Sequence, residues 1–187
     1  ERVVRMVHEA TGIAAITTSD AVEEAIAALE VKRVALFTPY RPAVIEAEKA
    51  HFARLGVEVT VEAHLERMRP VDQGEIPADD WRRLAASVDT RDCDALLFSC
   101  GGIRLSPVVA AIEEDHRRPV ISSNGALLWQ ALGRLNLRGD ATRYGRLFGC
   151  THPTKASASP AAWAASIDAA RSRRLASRWA SSSRSQG

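Results

Sequence analysis

Among the side chains able to do chemistry, one cysteine has a distinctive setting. Cys100 follows the apolar run Asp94-Ala95-Leu96-Leu97-Phe98-Ser99 and is itself followed by Gly101 and Gly102. Two glycines let a ligand approach the backbone closely and leave N–H groups pointing outward, and a thiol beside such donors serves as a nucleophile or a proton carrier near neutral pH. The competing reading is a buried structural thiol. Three other short runs, Thr17-Thr18-Ser19, Thr38-Pro39-Tyr40 and Ser122-Ser123-Asn124, also follow apolar stretches with small, hydroxylic or amide-bearing residues. With Ser99-Cys100-Gly101-Gly102 these make four runs, none of which carries a carboxylate, so together they predict a pocket that receives an anion through hydroxyls and backbone N–H groups. Taken singly, Ser19 or Ser106 reads as an ordinary helix cap. Tyr40 is placed to donate a phenolic hydrogen bond to a substrate oxygen, and Arg104 to pair with a carboxylate. The candidate site is therefore Cys100 as the catalytic thiol, with Thr38, Tyr40, Gly101, Gly102, Ser122, Ser123 and Asn124 as binding groups.

The remaining reactive side chains assemble into nothing comparable. Cys93 lies seven residues before Cys100, and at about 3.3 Å per strand residue that puts the two thiols at opposite ends of a sheet. Cys150 falls in the C-terminal stretch. His8, His51, His64, His116 and His152 are scattered, and no C-x-x-C is present, so no metal site is predicted. The run Cys100-Gly101-Gly102-Ile103-Arg104 is neither G-x-G-x-x-G nor a Walker sequence, which leaves a nucleotide without support.

The elements that must position these groups alternate along the chain. Residues 3–10 read as the end of a helix closed by Thr11-Gly12, and 13–17 as a short buried strand. Asp20 with Glu23 predicts a capping box opening a helix through Val22, Ile26 and Leu29. Residues 33–38 form an unbroken apolar strand of the kind covered on both faces. Pro42 opens the next helix, Val44, Ile45, Phe52 and Leu55 supply its buried face, and Gly56 stops it. A half-exposed strand at 57–61 leads into 62–77, read as a long functional loop. Trp81, Leu84, Ala85 and Val88 mark a helix, 94–99 a buried strand, and Ser106 a cap for a helix from Pro107 to about Asp115. A strand at 119–123 is followed by a helix from Asn124 carrying Leu127, Leu128, Trp129 and Leu132. Strands separated by helices predict an α/β fold, a Rossmann-like parallel sheet with flanking helices and a ligand site beyond the strands' carboxyl ends.

Bulk properties fit this picture. The chain has 187 residues, 46% apolar and 26% charged, enough for one substantial core and unlike a disordered or fibrous chain. No apolar run approaches the roughly 18–20 residues that span a bilayer, and no apolar signal core follows the N-terminus, so a cytoplasmic protein is expected. Three cysteines do not make a disulfide framework. Residues 149–187 hold Lys155, Arg171, Arg173, Arg174, Arg178 and Arg184 against Asp168, and 19 of the 39 are Ala or Ser. This stretch reads as a basic tail, disordered or weakly helical over 161–180, and as a solvated extension in preference to a nucleic-acid arm.

The four runs in this order, with Leu36-Phe37 before Thr38 and Trp129 after Asn124, resemble the maleate cis-trans isomerase and arylmalonate decarboxylase branch of the aspartate/glutamate racemase superfamily. The likeness covers about residues 1–148. It implies a cofactor-independent enzyme of two Rossmann-like lobes related by a pseudo-twofold, each giving one catalytic position at the cleft between them. In the isomerases both positions are cysteines: one adds to the substrate double bond and the other handles the proton. Cys100 matches the second-lobe cysteine, and Tyr40 the tyrosine that holds a substrate carboxylate. The implied layout is a first-lobe remnant at 1–17, a second lobe at 18–123 and a helix returning to the first lobe at 124–148. The first-lobe cysteine would precede the helix ending at Thr11-Gly12, so a truncated enzyme is expected. An asparagine of the isomerases, in the loop after strand 57–61, corresponds to Asp72 or Gln73. The implied partner is a small unsaturated dicarboxylate of the maleate type, with no membrane. Self-association stays open, as do decarboxylation, racemisation and non-catalytic carboxylate binding.

Overall fold

The computed structural model describes residues 2–137 and 139–152. Four parallel strands form one sheet: β1 (Arg33–Thr38), β2 (Glu58–His64), β3 (Ala95–Phe98) and β4 (Val120–Ser122), in the order β2-β1-β3-β4. Helix α3 (Pro42–Arg54) links β1 to β2. Helices α4 (Pro70–Glu75) and α5 (Ala78–Ala86) carry the chain back across to β3, and α6 (Val109–His116) leads on to β4. From β1, then, the chain first builds outward to β2 and then returns to add β3 on the other side. In an open parallel sheet such a reversal leaves a crevice beyond the carboxyl ends of the two central strands, here after Thr38 and Phe98.

Strand alternation sorts the core into two layers. Val34, Leu36, Ala95, Leu97 and Ile121 face α2 (Thr18–Ala28), α3 and α7 (Ser123–Arg134). Ala35, Phe37, Leu96, Phe98 and Val120 face α5 and α6. Both faces of β1 and β3 are covered, which is why these strands read as continuous apolar runs. Phe37 and Phe98 stack across adjacent strands at 4.7 Å, and Trp81 packs edge-on to Phe98 at 6.2 Å. A buried ion pair, Arg134 Nη2 to Glu24 Oε1 at 2.9 Å, ties α7 to α2. Glu113 accepts the N–H groups of Val120 and Arg146 at 2.9 and 3.0 Å, pinning the segment after α8 (Ala141–Tyr144) to the sheet.

Several local expectations change. Residues 13–17 are irregular and half-buried, and within the described sheet they pair with no strand. Helix α2 begins one turn earlier than a cap at Asp20 would allow: Thr17 is the N-cap, accepting the Asp20 N–H at 3.1 Å. That leaves Asp20 inside the first turn, where a carboxylate suits the helix's positive end. The expected long loop is partly ordered, since β2 runs to His64 and α4 follows. Ser106 caps nothing, because α6 starts after Val108, which makes no side-chain cap. On α3, Ile45 and Phe52 are buried while Val44 and Leu55 are exposed. Helix α1 (Arg2–Thr11) closes at Gly12, whose φ of +66° needs glycine. It buries no residue, and Val3, Met6 and Val7 are exposed on it. Of the expected tail, residues 149–152 are described, and His152 stacks on Trp129 at 4.3 Å. The helix expected at 161–180 lies outside the described residues. Among the described residues no helix is long and apolar enough to cross a membrane.

Candidate active site

The reversal point brings the predicted runs after β1 and β3 side by side. Thr38 is fully buried; its hydroxyl donates to the Ser99 carbonyl at 3.1 Å and accepts the Tyr40 N–H at 3.3 Å. It therefore locks one strand end to the other and aims Tyr40 rather than presenting a free group. The Tyr40 phenol reaches the Cys100 thiol. Its acidity is suppressed chiefly by burial and then by its hydrogen bond with Cys100, so it remains a donor.

Cys100 is buried at the point where two cavities meet. Its sulfur accepts the Gly102 N–H at 3.2 Å, so this donor of the glycine pair is turned onto the thiol and does not point outward. Its S–H donates to Gln73 Oε1 at 3.3 Å. The start of α7 supports the loop from beneath: the Ser123 hydroxyl accepts the Cys100 N–H at 3.1 Å, and Asn124 Nδ2 donates to the Gly101 and Ile103 carbonyls at 3.1 and 3.3 Å. Ser122 is the α7 N-cap, accepting the Gly125 N–H at 3.1 Å. Arg104, expected to await a carboxylate, instead donates from Nε to the Gly74 carbonyl at 2.8 Å and fastens the loop to α4.

One cavity, of about 500 Å³, is bordered by Thr18, Ser19, Tyr40, Glu48, Ser99 and Cys100. Hydroxyl-bearing residues of the predicted runs thus border the same cavity as the thiol. The other, of about 380 Å³, has mostly apolar walls, among them Ile103, Leu105, Val109, Leu128, Tyr144 and Phe148. Two groups at the site lay outside the four runs. Glu48 accepts from the Ser99 hydroxyl through Oε1, while Oε2 is buried without a hydrogen-bond partner. Burial pushes its carboxyl up, opposed by the Ser99 bond. The signal was its spacing, between Ile45 and Phe52 on the inward face of a helix. Gln73 was one of two candidates offered by the resemblance, and the structure separates them: it faces the thiol, whereas Asp72 pairs with Arg69 through Nη2 at 2.6 Å. Cys93 is at the opposite end of β3 from Cys100, its thiol donating to the Thr90 carbonyl at 3.1 Å. Among the described residues no group of His, Cys, Asp or Glu could hold a metal.

The family model for arylmalonate decarboxylase matches residues 1–148, the whole of the region that builds this site. The chain belongs to the arylmalonate decarboxylase family. It is 36% identical over 147 residues to the arylmalonate decarboxylase of Bordetella bronchiseptica, covering 75% of this chain and 60% of that one. To the maleate isomerase of Nocardia farcinica it is 31% identical over 132 residues, covering 70% and 53%. The chain thus spans little more than half the length of these family members. A cysteine-to-serine mutant of the Nocardia farcinica maleate cis-trans isomerase, solved with a covalently bound succinylcysteine intermediate, superposes with a TM-score of 0.72 at 30% identity, covering 79% of this chain and 62% of that chain. The relatives of this chain therefore include both an isomerase and a decarboxylase, and it shares their α/β fold.

Proposed function

We propose that this chain supplies the proton-carrying half of a cysteine-dependent, cofactor-independent active site that isomerises a small unsaturated dicarboxylate of the maleate to fumarate type. The observation that carries the reading is the Cys100 thiol donating its proton to an amide oxygen at the mouth of a hydroxyl-lined cavity. A thiol held in this way is a proton source for carbon. In the proposed reaction a second thiol adds through sulfur to one alkene carbon, and the π pair moves onto the neighbouring carboxylate-bearing carbon. Tyr40 donates to the carboxylate oxygen that takes up the charge. Cys100 then delivers its proton to that carbon, giving a succinyl thioether. Rotation about the new single bond, return of the proton to Cys100 and expulsion of the first thiolate leave the trans alkene. The succinylcysteine in the related isomerase supports this sequence.

The second thiol would come from a first lobe, which the greater length of the relatives supports. The exposed stripe of Val3, Met6 and Val7 on α1 is the face on which that lobe would pack. A decarboxylase reading rests on a separate observation, the apolar cavity beside Cys100, which has room for an aryl group. There the same thiol would protonate the enediolate left by loss of CO2.

Joining the chain to a first lobe taken from the Nocardia relative tests the choice. The chimera is expected to convert maleate to fumarate, read by proton NMR, and Cys100→Ser to lower the rate by orders of magnitude, as loss of one member of a concerted pair does. The 187-residue chain alone is expected to show little turnover. Loss of CO2 from an arylmalonate without action on maleate would transfer the assignment to decarboxylation, and binding without reaction would remove catalysis from it.

A further inference from the structure

Gln73 is buried at 8% exposure, and both ends of its amide are engaged. Nε2 donates to the Arg67 carbonyl at 3.2 Å, and Oε1 accepts from Cys100 at 3.3 Å. The first bond decides the second. An amide has donors at one end and an acceptor at the other, so fixing its nitrogen on a backbone carbonyl leaves only oxygen for the sulfur. Helix α4 fixes the residue in turn, through the Gln73 N–H to the Arg69 carbonyl at 3.3 Å. On its other side the sulfur accepts the Gly102 N–H at 3.2 Å. An amide oxygen favours the neutral thiol and the backbone N–H favours the thiolate, so the two contacts oppose one another at one atom.

We propose that Gln73, keyed by the Arg67 carbonyl, is a positioning residue that keeps the proton on Cys100 and fixes the direction in which it points. The inference rests on Cys100 being the reactive thiol and adds the group that governs its resting state. The other ionisable groups on the cavity bordered by the sulfur are Tyr40, after β1, Glu48 and His51, on α3, and Glu23, on α2, which lies 3.2 Å from His51. Arg104, in the loop before α6, is engaged with Gly74. Arg69 and Asp72 on the α4 side pair with one another. None of these supplies an acceptor fixed on the thiol proton as the Gln73 oxygen is.

The test is the pH profile of iodoacetamide alkylation at Cys100 in the full chain, mapped by peptide mass spectrometry with Cys93 as internal reference. It is measured for the unmodified protein, Gln73→Met and Gln73→Glu. Removing the acceptor with Met is expected to raise the Cys100 rate at pH 7 severalfold and move the profile to lower pH. A carboxylate in place of the amide is expected to slow alkylation about tenfold at pH 8.5, since a like charge beside the sulfur opposes the thiolate. Cys93 labelling should not change in either variant, which separates the effect from general loosening. A reactive Cys100 whose three profiles superimpose overturns the role of Gln73 alone. A Cys100 inert in all three proteins overturns the reactive-thiol reading and this role with it.

Discussion

Glu48 shows at the scale of one residue how the site trades stability for position. Its carboxyl is held against the Ser99 hydroxyl with one oxygen unpartnered, and burial raises it above its ordinary value of 4.5. A carboxyl raised on folding binds more protons in the native than in the unfolded state over the interval between the two values. Stability therefore falls as pH rises from about 4.5 through the folded value. Glu48→Gln keeps the shape and removes the charge. It is expected to raise the melting temperature at pH 8 and leave it nearly unchanged at pH 4, checked by thermal melts across that range. A variant with the same pH dependence as the unmodified chain would mean that Glu48 is solvated as an ordinary surface carboxylate. In the proposed reaction a dianionic substrate entering between Tyr40 and Ser99 would meet a carboxyl raised by its own burial.

At the scale of the element, the first turn of α7 does work that its side chains did not announce. Ser122 and Ser123 look interchangeable in sequence, yet one caps its own helix and the other receives the Cys100 N–H. Ser123→Ala leaves that backbone donor buried and unpaired, at a cost of about 1–3 kcal/mol. Ser122→Ala loses a helix cap, about 1 kcal/mol, and leaves the Cys100 loop in place. Urea unfolding of both variants, alongside the rate of Cys100 alkylation, separates the two roles. The Ser123 variant should change both measurements and the Ser122 variant only the first. Equal effects of the two on alkylation would show that the helix start acts on the loop as a unit.

At the scale of the whole molecule, the order β2-β1-β3-β4 places the site, and the described C-terminal segment closes over α7. Residues beyond Phe148 were expected to contribute little, but His152 stacks on Trp129, and its Nε2 lies 3.9 Å from the buried Glu24 carboxylate. A chain ended at Phe148 is therefore expected to be less stable than one ended at His152, by about 1 kcal/mol for the lost ring contact. Matched denaturation curves of the two truncated chains check this. Identical curves would make the stacking incidental and the boundary at Phe148 sound.

What could be read along the chain was whatever depends on near neighbours. Unbroken apolar runs marked β1 and β3 because a strand covered on both faces has no polar side to show, and Gly12, Pro42 and Gly56 marked helix ends because backbone conformation is a local property. Cys100 was legible for the same reason, as a thiol at a strand end beside two glycines. Residues 13–17 misled because a short apolar run looks alike in a strand and in a half-buried connection, and only a neighbouring strand distinguishes them. The partners of Cys100 were equally out of reach. Gln73 and Ser123 lie 27 and 23 residues away, on opposite sides in the chain. No spacing rule links them to the sulfur, and their convergence had to await the packing of α4 and α7 against the end of β3. Thr38, Ser123 and Asn124 could be read in the sequence as hydroxyl and amide groups following apolar strands. The tertiary structure alone decided that their hydrogen bonds are spent on the backbone of Tyr40 and of the Ser99–Ile103 loop, because a donor's role is set by what lies about 3 Å from it, not by its type.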